Sequence, residues 1–139
     1  MATPDVPATR YQLKKKLSAE QMSRVLLYEV ESNDTWVRDH GPLTMVLRKK
    51  QNTWMVPYRI LDFKFNGWGE KQTFSRDAKV AAFVDKQAGV PRIQSNLLLE
   101  WGGIEVDGHG KAITTESCVL NDNRNAGVSK AQCERERKQ

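Results

Sequence analysis

Cysteine and histidine are scarce in this chain, two of each, and neither is spaced for metal or dithiol chemistry. Cys118 and Cys133 form no CxxC pair and fit no Cys/His zinc spacing, so no metal site and no cofactor are expected, and both thiols read as reduced and structural. Long apolar runs are missing too. No stretch approaches the roughly eighteen apolar residues of a spanning helix, and MATPDVPATR at the N-terminus has no apolar h-region. These absences predict a soluble, cytoplasmic protein with no membrane partner. The charge imbalance, +5 with a pI near 9.3, invites a nucleic-acid reading, but the basic residues fall in short runs: Lys14 to Lys16, Arg48 to Lys50 and Arg135 to Lys138. No aromatics interleave with them as a nucleic-acid groove requires, so no nucleic acid is expected either. The 139 residues, 39% apolar and 28% charged, suit one domain with a modest core and do not indicate disorder.

Polar chemistry is concentrated in NDTWVRDHGP, from Asn33 to Pro42. Ten residues place Asp34, Arg38, Asp39 and His40 around Trp36. The closing Gly41-Pro42 cannot continue a helix, which puts these groups on a rigid loop entering a strand. A carboxylate beside an aromatic wall suits a cationic ligand. An equally open alternative is structural: Asp34 caps a turn, Asp39 pairs with Arg38 or another base, and Trp36 belongs to the core.

Along the chain, Met1 to Thr9 reads as a flexible lead. Tyr11 to Arg24 reads as a partial amphipathic helix, with Ser18 to Gln21 as a capping box. The apolar run Val25 to Val30 is of strand length. A hairpin follows from LTMVLR and from Thr53 to Arg59, with its turn at Lys49 to Asn52 and an edge or bulge at Pro57. Asp62 to Glu70 (DFKFNGWGE) predicts a second loop, whose Asn66-Gly67 and Trp68-Gly69 pairs ask for positive φ. Ser75 to Ala88 has helical spacing and stops at Gly89. Ile93 to Leu99 is a strand delivering Glu100, a carboxylate that must reach solvent or meet a partner. Gly102 to Asn121 predicts a hairpin turning at Asp107 to Gly110, with His109 solvated and Cys118 filling a strand position. After the polar turn Asn121 to Gly127, Ser129 and Gln132 open a last helix by capping-box logic, with no apolar stripe to dock it. The order is that of a ββαβ unit interrupted in its second pass.

NDTWVRDHGP, FNGWGE and LEWGGIEVDGHGKAITTESCVLNDNRN, taken together, resemble the agmatine deiminase family, which also holds bacterial-type peptidyl-arginine deiminases. The resemblance runs from about Val25 to Gln132. It implies an α/β fold, a partial pentein with roughly the first two of five ββαβ modules, as a deiminase domain over 25–139 preceded by a lead and possible helix over 1–24. It implies hydrolysis of a guanidino group, of agmatine to N-carbamoylputrescine and ammonia in putrescine biosynthesis or of peptidyl-arginine. In such enzymes a cysteine thiolate attacks the guanidinium carbon, a histidine moves protons and two aspartates grip the nitrogens.

By matching motifs, Asp39 is a gripping aspartate, Trp36 walls the pocket and Glu100 supports the catalytic histidine. Arg38, Asn66, Trp68, Asn123 and Arg124 are structural support, Arg38 through ion pairs. The family's histidine, second aspartate and nucleophile fall later in a longer chain, and neither Cys118 nor Cys133 inherits the nucleophile's role. The expectation is therefore an N-terminal fragment, inactive alone, with exposed strand edges open to association. The alternative is a catalytically dead module that binds guanidino compounds or pairs with a full-length relative. Two departures stand out. Ala126 replaces a common proline, and Trp101 replaces the first glycine after the glutamate, where a large indole predicts a closed approach or a displaced Glu100.

Overall fold

A computed structural model describes residues 2–46 and 58–136. The N-terminal segment is ordered rather than a flexible lead. Strand β1 (Ala2–Thr3) pairs in parallel with β2 (Tyr28–Glu29), and helix Val6–Lys14 starts between them because Asp5 Oδ1 accepts from Ala8 N at 2.8 Å. Pro7 in the first turn gives up no helical bond there. Helix Ala19–Ser23 opens on the anticipated capping box, in which Ser18 and Gln21 exchange backbone and side-chain bonds. The run Val25 to Val30 yields only a two-residue strand, since among the described residues it pairs only with the short β1.

The sheet that carries the site has the order β3-β4-β5. Strand β3 (Leu43–Val46) pairs antiparallel with β4 (Tyr58–Lys64), with Leu43 opposite Leu61 and Val46 opposite Tyr58. The expected pairing of these two segments therefore forms. Its turn, from Lys49 to Asn52, and Pro57 lie outside the described residues. Strand β4 runs on through Asp62-Phe63-Lys64, so the second loop begins only at Phe65; a register shift between Asp62 and Lys64 absorbs the irregularity.

From β4 the chain crosses over through a 3₁₀ turn, Asp77–Lys79, and helix Val80–Ala88 to β5 (Arg92–Leu98), parallel to β4. The helix ends at Gly89 with φ +62°, the left-handed stop that glycine supplies at least cost. Strand, hairpin partner, helix and parallel strand make one ββαβ unit. Helix Val80–Ala88 packs on β4 and buries Val80 and Ala81. Arg92 ties the crossover to the sheet through Asp62 at 2.7 Å and Asp85 at 3.2 Å.

A second hairpin joins β6 (Ile104–Val106) to β7 (Ala112–Thr114). Its turn is closed by Asp107, whose Oδ1 accepts from His109 N at 2.7 Å and Lys111 N at 3.0 Å. The Lys111 bond, then the His109 bond, hold the Asp107 carboxyl below its ordinary range. His109 is exposed, as expected. The returning strand is shorter than predicted, and Cys118 sits in a single helical turn, Glu116–Val119, rather than in a strand.

Phe63, Leu97, Leu99, Trp101, Ile104, Val119 and Cys133 form the main core. Trp101, the indole that stands for the first glycine after Glu100, is packed into this core. It is 5% exposed and meets Phe63 edge-on at 5.0 Å. The strand lead-in leaves the indole nowhere to go but the core, which repays it with about 1 kcal/mol of ring contact beyond area burial. The terminal helix Lys130–Glu136 is likewise docked through Cys133, 4% exposed. A single buried thiol, not an apolar stripe, is what docks it.

Candidate active site

The Asn33 to Pro42 segment contains one turn of helix, Val37–His40, closed by Gly41 N donating to Val37 O at 2.8 Å. A side chain at Gly41 would stand 2.6 Å from that carbonyl, so the stop needs glycine. Asp34 is the turn cap that the structural alternative foresaw, its Oδ1 accepting from Trp36 N at 3.0 Å. The rest of that alternative does not hold. Trp36 is 65% exposed, and neither Asp39 nor Arg38 takes part in an ion pair among the described residues. Arg38 was expected to hold the loop through ion pairs. Its guanidinium is instead exposed, because the acidic groups of this loop are already engaged with backbone and indole N–H donors.

Asp39 is oriented from two sides. Its Oδ1 accepts from Gly102 N at 2.9 Å and its Oδ2 from the Trp68 indole Nε1 at 3.0 Å. An ionised carboxylate has about four acceptor positions, so two remain for an incoming ligand. Two neutral donors fix the plane of the group without neutralising it. That is the state from which a planar guanidinium can be taken in bidentate fashion.

Trp68 reaches Asp39 because its backbone is left-handed. Gly67, Trp68, Gly69 and Glu70 all have positive φ, 65°, 61°, 80° and 64°, and Glu70 N and Lys71 N bond back to Asn66 O and Gly67 O. The expected positive-φ glycines are there, but two residues with side chains share the conformation, at about 1–2 kcal/mol each. Asn66 anchors the turn: its Oδ1 accepts from Gly69 N at 2.9 Å and its Nδ2 donates to Asn123 O at 2.9 Å. Gly69 lies so close to Asn123 that a Cβ would come within 2.4 Å of its amide.

The circuit closes through Glu100. This buried carboxyl, 7% exposed, accepts from Arg124 Nε at 2.8 and 3.0 Å, and Arg124 Nη1 donates to Asn123 Oδ1 at 3.0 Å. Glu100 thus meets a partner, and Gly102, two residues on, donates to Asp39. Asn125 braces the same region, donating to Leu98 O and Val119 O and accepting from Leu98 N. Asp39, Trp68, Asn66, Asn123, Arg124 and Glu100 are therefore one connected network, with Trp36 exposed on its loop and Arg38 outside it.

Sequence reasoning missed Gly102 and Asn125. The paired glycines after Trp101 were the available signal for a close backbone approach; nothing marked Asn125. Among the described residues no group of His, Cys, Asp and Glu could hold a metal ion. Cys133 is in the core, and Cys118 packs against it beside Gly103.

The chain is similar to known proteins in both sequence and structure. A family model described as Porphyromonas-type peptidyl-arginine deiminase matches residues 6–139. The chain is 40% identical over 121 residues to an agmatine deiminase of Medicago truncatula, covering 82% of this chain and 32% of that protein. In structure it resembles a Porphyromonas gingivalis protein assigned as an arginine deiminase, with TM-score 0.77 and 32% identity over 96% of this chain and 38% of the other. It also resembles an agmatine deiminase of C. jejuni with substrate bound, with TM-score 0.75 and 26% identity over 99% of this chain and 37% of the other. The chain spans about a third of the length of the relatives it matches.

Proposed function

Since the chain belongs to the Porphyromonas-type peptidyl-arginine deiminase family, we propose that it carries the guanidinium-gripping part of a deiminase centre. In this reading Asp39 accepts two N–H groups of the guanidinium on its two unused positions, which fixes the carbon for attack and offsets the ligand's charge. Trp36, exposed on the same loop, walls the cation by its ring face. Glu100 supports the catalytic histidine, itself held in place by Arg124. The observation that carries the proposal is the double anchoring of Asp39 by Gly102 and Trp68: a carboxyl fixed by neutral donors and left without a cationic partner among the described residues.

In this reading the guanidino group gripped is that of agmatine, which the whole enzyme hydrolyses to N-carbamoylputrescine and ammonia in putrescine biosynthesis, or that of peptidyl-arginine. The identity to agmatine deiminase supports the first, and the matched family model supports the second. The ββαβ unit and the hairpin after it correspond to the first modules of a pentein propeller, with the deiminase unit assigned to 25–139.

The chain's own cysteines and histidines favour grip over turnover. Cys133 is buried and Cys118 lies against the core. His40 is buried beneath the loop and His109 lies on an exposed hairpin turn. None stands as a nucleophile or proton carrier over Asp39, so the chain alone binds guanidino compounds without hydrolysing them.

Agmatine titration by calorimetry, with ammonia release followed in parallel, tests this. Saturable binding, on the order of millimolar, is expected for the wild type and lost in Asp39→Asn, with no ammonia above the Asp39→Ala background. Absence of binding would remove the gripping role. Ammonia release abolished by Asp39→Ala would mean that Cys118 or Cys133 acts as the nucleophile.

A further inference from the structure

Asp77 is fully buried, 0% exposed, at the start of the 3₁₀ turn that leads into helix Val80–Ala88. A carboxyl group closed off from water is costly unless its oxygens are engaged. Its Oδ1 accepts from Asn33 N at 2.6 Å and from Asp34 N at 3.3 Å. The tie is reciprocal, since Arg76 N donates to Asn33 Oδ1 at 2.8 Å. The same Oδ1 stands 3.9 Å from His40 Nε2, and the His40 ring, also buried, lies against Phe65 with centroids 5.6 Å apart. One carboxyl oxygen therefore bonds the start of the segment that carries Asp39 and lies near His40 at its end without a hydrogen bond to it; Asp77 Oδ2 and both ring nitrogens of His40 are buried with no hydrogen-bond partner among the described residues.

The remaining ties at this corner are weak. Glu31 and Arg76 approach at 3.5 Å, but both are more than half exposed, and such pairs contribute little. The turn Val37–His40 is also too short to hold itself. Its most extensive contacts are with the Trp101–Gly103 turn on one side and the Asp77–Lys79 turn on the other. The first supplies the Gly102 donor to Asp39; the second supplies Asp77.

We infer that Asp77 is a positioning residue for Asp39, bonding the loop at Asn33 and Asp34 and packing beside His40 so that the Asp39 carboxyl meets its two donors. This rests on the reading of Asp39 as the guanidinium-binding group. Asp77 itself is buried beneath the loop and touches no ligand. A residue that merely stabilised the fold would lower the melting temperature without changing the Asp39 environment in the folded state. A positioning residue changes that environment directly, and the Trp68 indole N–H bonded to Asp39 reports it.

The test is nitrogen-15 NMR of the four tryptophan indoles, with Trp68 assigned through Trp68→Phe and Trp101 as the marker of an intact core. In Asp77→Ala the Trp101 signal is expected to stay, while the Trp68 signal moves and its proton exchange accelerates on the order of tenfold. Asp77→Asn, which keeps an oxygen to accept from Asn33 N, is expected to restore most of the wild-type Trp68 signal. An unchanged Trp68 in folded Asp77→Ala would overturn the inference.

If Asp77→Ala does not fold, Asp77→Ser decides. It keeps a small polar group in the site but is too short to hold the bond to Asn33 N, and an unaltered Trp68 there would overturn the inference equally. Agmatine added to the wild-type chain is a separate arm. If it fails to move Trp68 the gripping role of Asp39 falls, whereas the result for Asp77 stands on the variants.

Discussion

Trp68 donates its indole N–H to Asp39 Oδ2 at 3.0 Å from a backbone with φ +61°. Two segments twenty-nine residues apart thereby settle the plane of one carboxyl group, and the strain of the left-handed turn is spent where the ligand would bind. Trp68→Phe keeps the ring and loses the donor. Agmatine affinity, read by calorimetry, is expected to fall by about three- to tenfold, with a stability loss of about 1 kcal/mol in urea denaturation. Unchanged affinity would mean that Gly102 alone orients Asp39.

The two glycines after Trp101 have different neighbours, and the difference is measurable. A Cβ on Gly102 would fall 2.3 Å from Asp39 Oδ1, whereas a Cβ on Gly103 would lie 3.5 Å from the Cys118 Cβ, an ordinary contact. Gly102→Ala is expected to displace Asp39 and cost about 1–3 kcal/mol. Gly103→Ala is expected to melt within a few degrees of the wild type. Equal melting temperatures for the two variants would show that the Asp39 carboxyl yields freely.

Glu100 and Arg124 form a buried pair, with side chains 9% and 15% exposed. Removing one partner leaves the other charge without compensation in a dry site, so Arg124→Met is expected to lose about 3 kcal/mol. The double variant with Glu100→Met is expected to recover part of that loss. Denaturant midpoints of the four proteins, arranged as a double-mutant cycle, measure the coupling. A cycle energy near zero would show that the pair does not couple.

Acidity should act differently at the exposed Glu116–Lys130 pair, 2.8 Å apart. Hydrogen bonding and attraction to Lys130 hold the Glu116 carboxyl below its ordinary value of 4.5. A depressed folded-state value means that the contribution is present above 4.5 and is lost as pH falls through the lower, folded value. The difference in stability between wild type and Glu116→Gln is thus expected to be small at neutral pH, to vanish in acid below that range and to shrink in salt. A difference that grows on acidification would contradict it.

Several elements were legible in the sequence because their causes are local. Gly89 after an apolar helical run stops the helix where expected, Ser18 with Gln21 and Ser129 with Gln132 cap two others, and Asp107 to Gly110 turns a hairpin. Other expectations failed where distant contacts outweighed local preference. Met1 to Thr9 is proline-bearing and polar, yet β2 gives it a strand to pair with and Asp5 caps a helix. Cys118 sits among strand formers, yet the chain bends into a single turn that packs Val119 into the core. Trp101 takes its place in the core beside Phe63, a contact that local sequence does not show.

The site divides along the same line. The sequence by itself determined which groups are available: Asp39 and Trp36 on one short loop, glycines where the backbone must pass close, and a glutamate that had to reach solvent or meet a partner. The tertiary structure alone decided their use. Whether Asp39 would be neutralised by Arg38 or left open to a ligand depends on Gly102 and Trp68 arriving from elsewhere in the chain. Whether the loop holds its shape depends on Asp77, forty-four residues from Asn33. Hydrogen bonds of that kind carry no periodicity and no local propensity. They arise from how the crossover brings the head of a helix behind a loop, and the order of residues does not show that until the chain is folded.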